Sequence, residues 1–317
     1  MTLTTSPAPT TAAFPAAQWP IAAAMLQFPR RLGDGTIVDD AEPPIWQRLL
    51  QPIVDAGFTA LEVPSAWIRL GDLAPDRLTS FSSTVHEMNL QVVGATVVRE
   101  SVIHPTNWRQ NLDFSHRTID AAAAMGVPIV CLGLHDALLP AQQRALWFWT
   151  EPGTQMSPDP AVREHAVSRY RELAEHAGTV DVQLSLELYE DTYLGTGVGA
   201  VQFLHDIDHP AVSLNPDIGN LIRRQGPIEA WEDIVELTAP HANYWHVKNI
   251  LRLENPAHGI VLTHPAPLES GIINYRAAVA HAISHGFAGA FVVEHYGGDG
   301  LSVGATNRDY LRRILPQ

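Results

Sequence analysis

The stretch Tyr244-Trp-His-Val-Lys-Asn249, YWHVKN, carries the one lysine among the chain's 20 lysine and arginine residues. It reads as a short buried strand whose C-terminal end turns polar. A parallel strand buried on both faces is ordinarily apolar throughout. His246 and Lys248 are therefore either a chemical pair or the polar end of a strand. The other strands of the chain bear on the choice.

Short apolar runs recur along the sequence, each followed by a segment with helical spacing. The predicted strands are Ile21–Leu26, Phe58–Val63, Leu90–Val97, Pro128–Leu134, Val182–Leu188, Ala211–Pro216, Asn243–Val247 and Ala288–Val293. The predicted helices are Pro44–Ala56, Pro75–Met88, Asn107–Met125, Ala161–Ala177, Gly199–Ile207, Pro227–Leu237, Tyr275–His285 and Ala305–Leu315. Gly57, Gly126, Gly178 and Gly286 follow helical runs and read as C-terminal caps. Eight strand–helix units with no break in composition predict an α/β chain closed into a (β/α)8 TIM barrel, one domain over residues 21–317. An open doubly wound sheet would carry a Gly-rich turn after its first strand. Gln27-Phe-Pro-Arg-Arg31 stands there instead, and no G-x-x-x-x-G-K-[ST] occurs, which disfavours a nucleotide cofactor. Residues 1–20 are rich in Thr, Ala and Pro without a basic start, and read as a flexible tail rather than a signal peptide.

The 317 residues are 46% hydrophobic with a formal net charge of −14. A core of that size excludes extensive disorder, and that charge repels nucleic-acid backbones. No apolar run reaches the roughly 18 residues a membrane span needs. The cytoplasm is the expected location. The single cysteine, Cys131, lies in an apolar run and reads as a small core residue, with no basic neighbour to lower its pKa.

Polar residues at strand C-termini project into the mouth of a barrel, where active sites sit. Glu62, His135, Glu187, Asp217, His246 and Glu294 hold such positions. The last four of the predicted strands supply Glu187, Asp217, His246 and Glu294 in turn. Three carboxylates and an imidazole aimed at one place repel one another unless a cation lies between them. Each acid taken singly also fits a strand-end salt bridge; the set of four is better explained by a divalent metal. The mixed O and N donors suit Mn²⁺, expected first, or Mg²⁺, Co²⁺ or Zn²⁺. Two long connections follow strand ends and are expected to cover the site. Residues 135–160 hold Trp147, Phe148 and Trp149, and residues 249–274 hold His258 and His264. His135 is either a general base near neutral pH or a ring that caps a loop.

The ligand set, HVKN at His246–Asn249 and PLESGIINY at Pro267–Tyr275 resemble the xylose isomerase-like barrel superfamily, in particular the sugar phosphate isomerase/epimerase group. The resemblance covers residues 21–315. It implies that Glu187, Asp217, His246 and Glu294 hold the metal. Glu187 and Glu294 would double as acid and base, moving a proton next to a carbonyl through an enediolate. Lys248 matches the family lysine and would add positive charge where enolate charge develops; a strand-end salt bridge is its other reading. Asn249 replaces the family's acid.

Arg252 matches a family arginine six places after the metal histidine. Asn220 stands where ketose epimerases carry a histidine and Tyr193 where they carry a second glutamate, so substrate contacts differ. Glu62, Trp147, Tyr193, Asn220 and Arg252 are the expected substrate contacts. His135, Trp147, Trp149 and EHYGGDG at Glu294–Gly300 also resemble the large subunits of bacterial C-glycoside deglycosidases, of the same barrel group. That resemblance implies a carbon–carbon lyase acting on 3-oxo-C-glycosides beside a small β-sandwich partner. The expected ligand is a sugar or glycoside, and the expected assembly is oligomeric. A sugar-binding barrel without catalysis would not need the metal quartet, and a DNA-repair nuclease conflicts with the acidic balance.

Overall fold

The computed structural model describes residues 13–316. Eight parallel strands form the central sheet: β1 (Ile21–Ala23), β2 (Ala60–Pro64), β3 (Gln91–Val97), β4 (Ile129–Leu132), β5 (Gln183–Glu187), β6 (Val212–Asn215), β7 (Tyr244–Val247) and, after an inserted hairpin, β10 (Ala290–Val293). The hairpin pairs β8 (Asn249–Asn255) with antiparallel β9 (Ile260–Ala266). The sheet order is β6-β5-β4-β3-β2-β1-β10-β7, and a parallel bridge from Leu214 to Ala242 brings its two ends together, as a barrel requires.

The helices are α1 (Pro43–Asp55), α2 (Pro75–Glu87), α3 (Trp108–Met125), α4 (Pro140–Arg144), α5 (Pro160–Thr179), α6 (Gly197–Ile207), α7 (Ile218–Ile222), α8 (Trp231–Thr238), α9 (Tyr275–Ser284) and α10 (Gly300–Ile314). Their starts follow local chemistry. Proline occupies the first turn of α1, α2 and α5, where its missing N–H costs nothing. Side chains of Asp159, Thr196, Asn274 and Asp299 accept from backbone N–H groups that open α5, α6, α9 and α10. Gly57, Gly126 and Gly286 take positive φ behind α1, α3 and α9. Gly178 does not cap: α5 runs through it to Thr179, and Asp181 takes the left-handed turn at φ 57°.

Two corrections concern the predicted boundaries. Residues 1–12 of the predicted tail lie outside the described residues. Residues 13–20 belong to the folded body. Trp19 is 0% exposed, its Nε1–H donates to Gly289 O at 2.9 Å, and its ring stacks on Phe287. A side chain of that apolar area is not left in water. The connection expected over residues 249–274 is largely the β8–β9 hairpin. One of its faces presents Leu251, Leu253, Ile260 and Leu262, all exposed.

Most of the core lies between sheet and helices. A second cluster fills the barrel interior with Ala22, Ala24, Ala60, Val93, Ile129, Cys131, Tyr244, Ala290 and Val292. The small residues make room for Tyr244, whose hydroxyl runs over Gly94, where a Cβ would stand 2.5 Å away. Among the described residues no helix is long and apolar enough to cross a membrane.

Candidate active site

Above the apolar layers the barrel interior turns polar at the C-terminal strand ends. Glu187 ends β5, Asp217 follows β6, His246 lies in β7 and Glu294 follows β10. All four are buried. Nδ1 of His246 lies 3.3 Å from Glu187 Oε2, 3.4 Å from Glu294 Oε1 and 3.8 Å from Asp217 Oδ2. Yet this Nδ1 and Asp217 Oδ1 have no hydrogen-bond partner among the described residues. Buried polar atoms are ordinarily paired, so converging donors with unused lone pairs fit a divalent cation.

The other face of the His246 ring is fixed. Nε2 lies 2.6 Å from Glu62 Oε1. Glu62 also accepts from the Tyr244 hydroxyl at 3.0 Å and from Thr96 Oγ1. The pairing of β2 with β3 shifts between Leu61 and Glu62, an irregularity of the kind that re-aims a side chain. A carboxylate behind the ring is the usual support of a metal-binding histidine. Burial alone would lower the His246 pKa, but Glu62, Glu294 and Glu187 around it hold it well above its ordinary value.

Lys248 extends from the end of β7 between two of the carboxylates, and its ammonium touches both Asp217 and Glu294. Its stem crosses Gly219, where a Cβ would stand 2.5 Å from Lys248 Cγ. Burial disfavours the ammonium, but Asp217 and Glu294 outweigh it and hold the pKa well above the ordinary lysine value. Burial, joined by Glu294 and Glu187, pushes Asp217 up against the pull of Lys248 and His246.

His135 connects this cluster to open space. Its Nε2 lies 3.6 Å from Glu187 Oε1 and its ring packs on Tyr189 with centroids 3.5 Å apart. It also lines a cavity of about 260 Å³, together with Arg99, Trp149, Tyr189, Glu190 and Arg224. Burial pushes the imidazole down to about 4, so it is neutral at pH 7.

A profile of the xylose isomerase-like TIM barrel family matches residues 50–314. The chain belongs to that family. A xylose isomerase-like TIM barrel protein from Mycobacterium smegmatis, solved in complex with magnesium, is 40% identical over 95% of this chain and 98% of its own, with a TM-score of 0.90. D-Allulose 3-epimerase from Methylomonas sp. is 14% identical over 94% of this chain and 98% of its own, with a TM-score of 0.66. The 3-keto-D-glucoside 4-epimerase from E. coli is 15% identical over 93% and 100%, with a TM-score of 0.63. At such identities these two share the fold. A search of curated proteins finds no match.

Within this xylose isomerase-like barrel the predicted quartet and Lys248 are together, and His135 touches the quartet. Of the five expected substrate contacts, Glu62 and Asn220 adjoin the quartet, and Arg252, Tyr193 and Trp147 engage other partners within the protein. Glu62 supports His246 from below. Asn220 Nδ2 donates to Glu187 Oε1, Asp217 Oδ2 and Leu188 O, so it braces two expected ligands. Arg252 donates to the backbone oxygens of Ile222, Arg224 and Gly226 and pins the chain after α7 to the hairpin. Tyr193 stacks on Phe203 and donates to Ser157 O at 2.7 Å. Trp147 stacks on Trp149 and meets His264 edge-on.

Sequence reading missed a second buried group. Arg223 Nε and Nη2 donate to Glu190 Oε1 and Oε2 at 2.8 and 3.1 Å. Phe148, Trp149, Tyr189 and Tyr296 surround its guanidinium at 4.8 to 5.8 Å. This links the loops after β4, β5, β6 and β10. No spacing in the sequence joins Glu190 to Arg223. Asn215 was missed too: its Oδ1 accepts the His246 N–H at 2.8 Å.

Proposed function

We propose that this chain is a divalent-metal-dependent enzyme of the isomerase/epimerase type, moving a proton on the carbon beside a carbonyl of a sugar-derived substrate. The observation that carries this reading is the convergence of Glu187, Asp217 and Glu294 on the unpaired Nδ1 of His246. The epimerase names of two fold relatives support the reaction class. Mn²⁺ is the metal we favour on the donor set, and the magnesium of the Mycobacterium smegmatis relative keeps Mg²⁺ in view.

A divalent cation held by Glu187, Asp217, His246 and Glu294 supplies Lewis-acid stabilisation of negative charge on the substrate's carbonyl and neighbouring oxygens. Glu187 takes the proton from carbon and Glu294 returns one, or the reverse, as the substrate passes through an enediolate. Asn220 holds Glu187 in place. Neutral His135 beside Glu187 places no second cation in the pocket, which leaves Glu187 free to take up the proton. Lys248 sets a fixed positive charge beside Asp217 and Glu294 as substrate charge develops. A cytoplasmic enzyme fits the one thiol, Cys131, which stays reduced there.

A second reading uses the same proton step. The aromatic rings around Arg223 and the adjoining cavity suit the flat aglycone of a 3-oxo-C-glycoside, whose C2 proton is removed as the aglycone leaves. The apolar hairpin face would then seat a small β-sandwich subunit, or a second copy in a homo-oligomer.

The test is solvent-deuterium exchange into free ketoses and into 3-oxo-C-glycosides with Mn²⁺ or Mg²⁺ added. Exchange that needs metal and is lost in Glu187→Gln is expected. Metal-stimulated exchange that survives in Glu187→Gln sinks the assignment. Aglycone release without exchange into ketoses selects the second reading.

A further inference from the structure

Away from the barrel mouth, α3 and α5 face each other across a small square of side chains. His116 and Asp120 stand four residues apart on α3, and Glu172 and His176 four apart on α5. Each histidine reaches across to the acid of the other helix. His116 Nε2 lies 3.0 Å from Glu172 Oε1, and His176 Nε2 lies 2.8 Å from Asp120 Oδ1. The two Nδ1 atoms then face each other at 2.8 Å. Both rings are about one quarter exposed, at 26% and 25%.

Proton counting makes this contact informative. An ionised carboxylate only accepts hydrogen bonds, so each Nε2 carries its ring proton. A neutral imidazole has one such proton, which leaves a lone pair on each Nδ1. Two lone pairs at 2.8 Å repel unless a positive centre lies between them. A carboxylate behind each ring is also the arrangement that fixes tautomer and raises basicity in metal-binding histidines.

We propose that His116 and His176 form a second, peripheral metal site that takes a transition-metal dication with a preference for imidazole nitrogen, Zn²⁺ in particular. The ligand atoms are the two Nδ1 nitrogens, and water completes the shell at this exposed position. Glu172 and Asp120 orient the rings. Imidazole pairs select Zn²⁺ over Mg²⁺, which prefers oxygen donors. Zinc–nitrogen bonds in tetrahedral geometry hold two ligand nitrogens about 3.3 Å apart, so the rings need part by only roughly half an ångström. The bound ion cross-links α3 to α5 on the outer wall of the barrel. The site is independent of the proton chemistry proposed above.

The intact protein, held in excess Mg²⁺, is titrated with Zn²⁺, freed of unbound metal by gel filtration, and its zinc counted beside His116→Gln and His176→Gln. The wild-type chain is expected to retain one zinc more than either variant. Zinc should also move the ¹⁵N resonances of both Nδ1 atoms in the wild type, a readout that needs no variant to fold. Equal zinc in all three proteins overturns the proposal. So do wild-type Nδ1 resonances that ignore Zn²⁺ and respond to pH alone, which would make the positive centre a shared proton.

Discussion

Glu62 Oε1 and His246 Nε2 lie 2.6 Å apart, on the side of the imidazole opposite the nitrogen that faces Glu187, Asp217 and Glu294. The carboxylate holds the proton on Nε2, so that a cation would displace the proton of Nδ1 alone. Glu62→Gln removes the charge and keeps the shape. Metal affinity should fall about 10- to 100-fold, as losses of such supporting carboxylates do. Calorimetric titration with Mn²⁺ measures it, and unchanged affinity would separate Glu62 from metal binding.

Lys248 stands between Asp217 and Glu294. In the metal-free protein, Lys248→Met leaves two buried carboxylates uncompensated. Stability should drop by about 3 kcal/mol, the low end for a broken buried pair, because Asp217 is already poised to take a proton. Saturating Mn²⁺ should restore part of the loss. Urea melts of both proteins with and without metal give the comparison; a variant as stable as the parent without metal refutes the role.

His135 has its pKa pushed by burial from 6.5 to about 4. Its folded value lies below its unfolded one, so between these values the unfolded chain binds the extra proton. This residue's contribution to stability is therefore complete above pH 6.5 and declines as pH falls toward 4, by about 3 kcal/mol in all. A cation bound at Glu187 pushes in the same direction. The ring should remain neutral at pH 5.5 in nuclear magnetic resonance spectra, with His135→Gln assigning the signal. A midpoint near 6.5 contradicts it.

Arg223 and Glu190 form a buried pair inside four aromatic rings. Arg223→Lys keeps the charge but loses the planar fork and the stacking surface. A loss of about 1.5–3 kcal/mol is expected, the range for one hydrogen bond to a charged group. Hydrogen exchange should quicken over residues 145–157, and protection there equal to the parent's would show that Arg223 does not hold that loop.

Trp19 packs against Phe287 and Phe291 in the core. Trp19→Ala should cost about 3–5 kcal/mol, as large-to-small core changes do. A chain starting at residue 21 should melt correspondingly lower than the parent. Equal melting temperatures would return residues 13–20 to the status of a tail.

The barrel and the cluster of polar side chains at its mouth were legible in the sequence for one reason. Strands repeat as apolar runs, and a charged residue at the end of such a run has no apolar explanation. Glu187, Asp217, His246 and Glu294 could be found that way, and so could Lys248. The partners of the expected substrate contacts could not. Glu62 and Asn220 bear the residue types of a binding site, but their partners come from neighbouring strands, and only the closed geometry shows that those partners take up their hydrogen bonds. The Arg223–Glu190 pair and the His116–His176 contact span loops or helices whose juxtaposition no local pattern encodes. The hairpin was hidden by Pro256 and Pro265, which interrupt an otherwise alternating stretch.

Cys131 lies wholly inside the barrel, and burial raises its thiol pKa well above the ordinary value. The chain carries one cysteine, so a thiol reagent has one address, reached when the wall of strands parts. Labelling kinetics in native buffer thus become a stopwatch for the breathing of the whole molecule, started without a probe having to be engineered in.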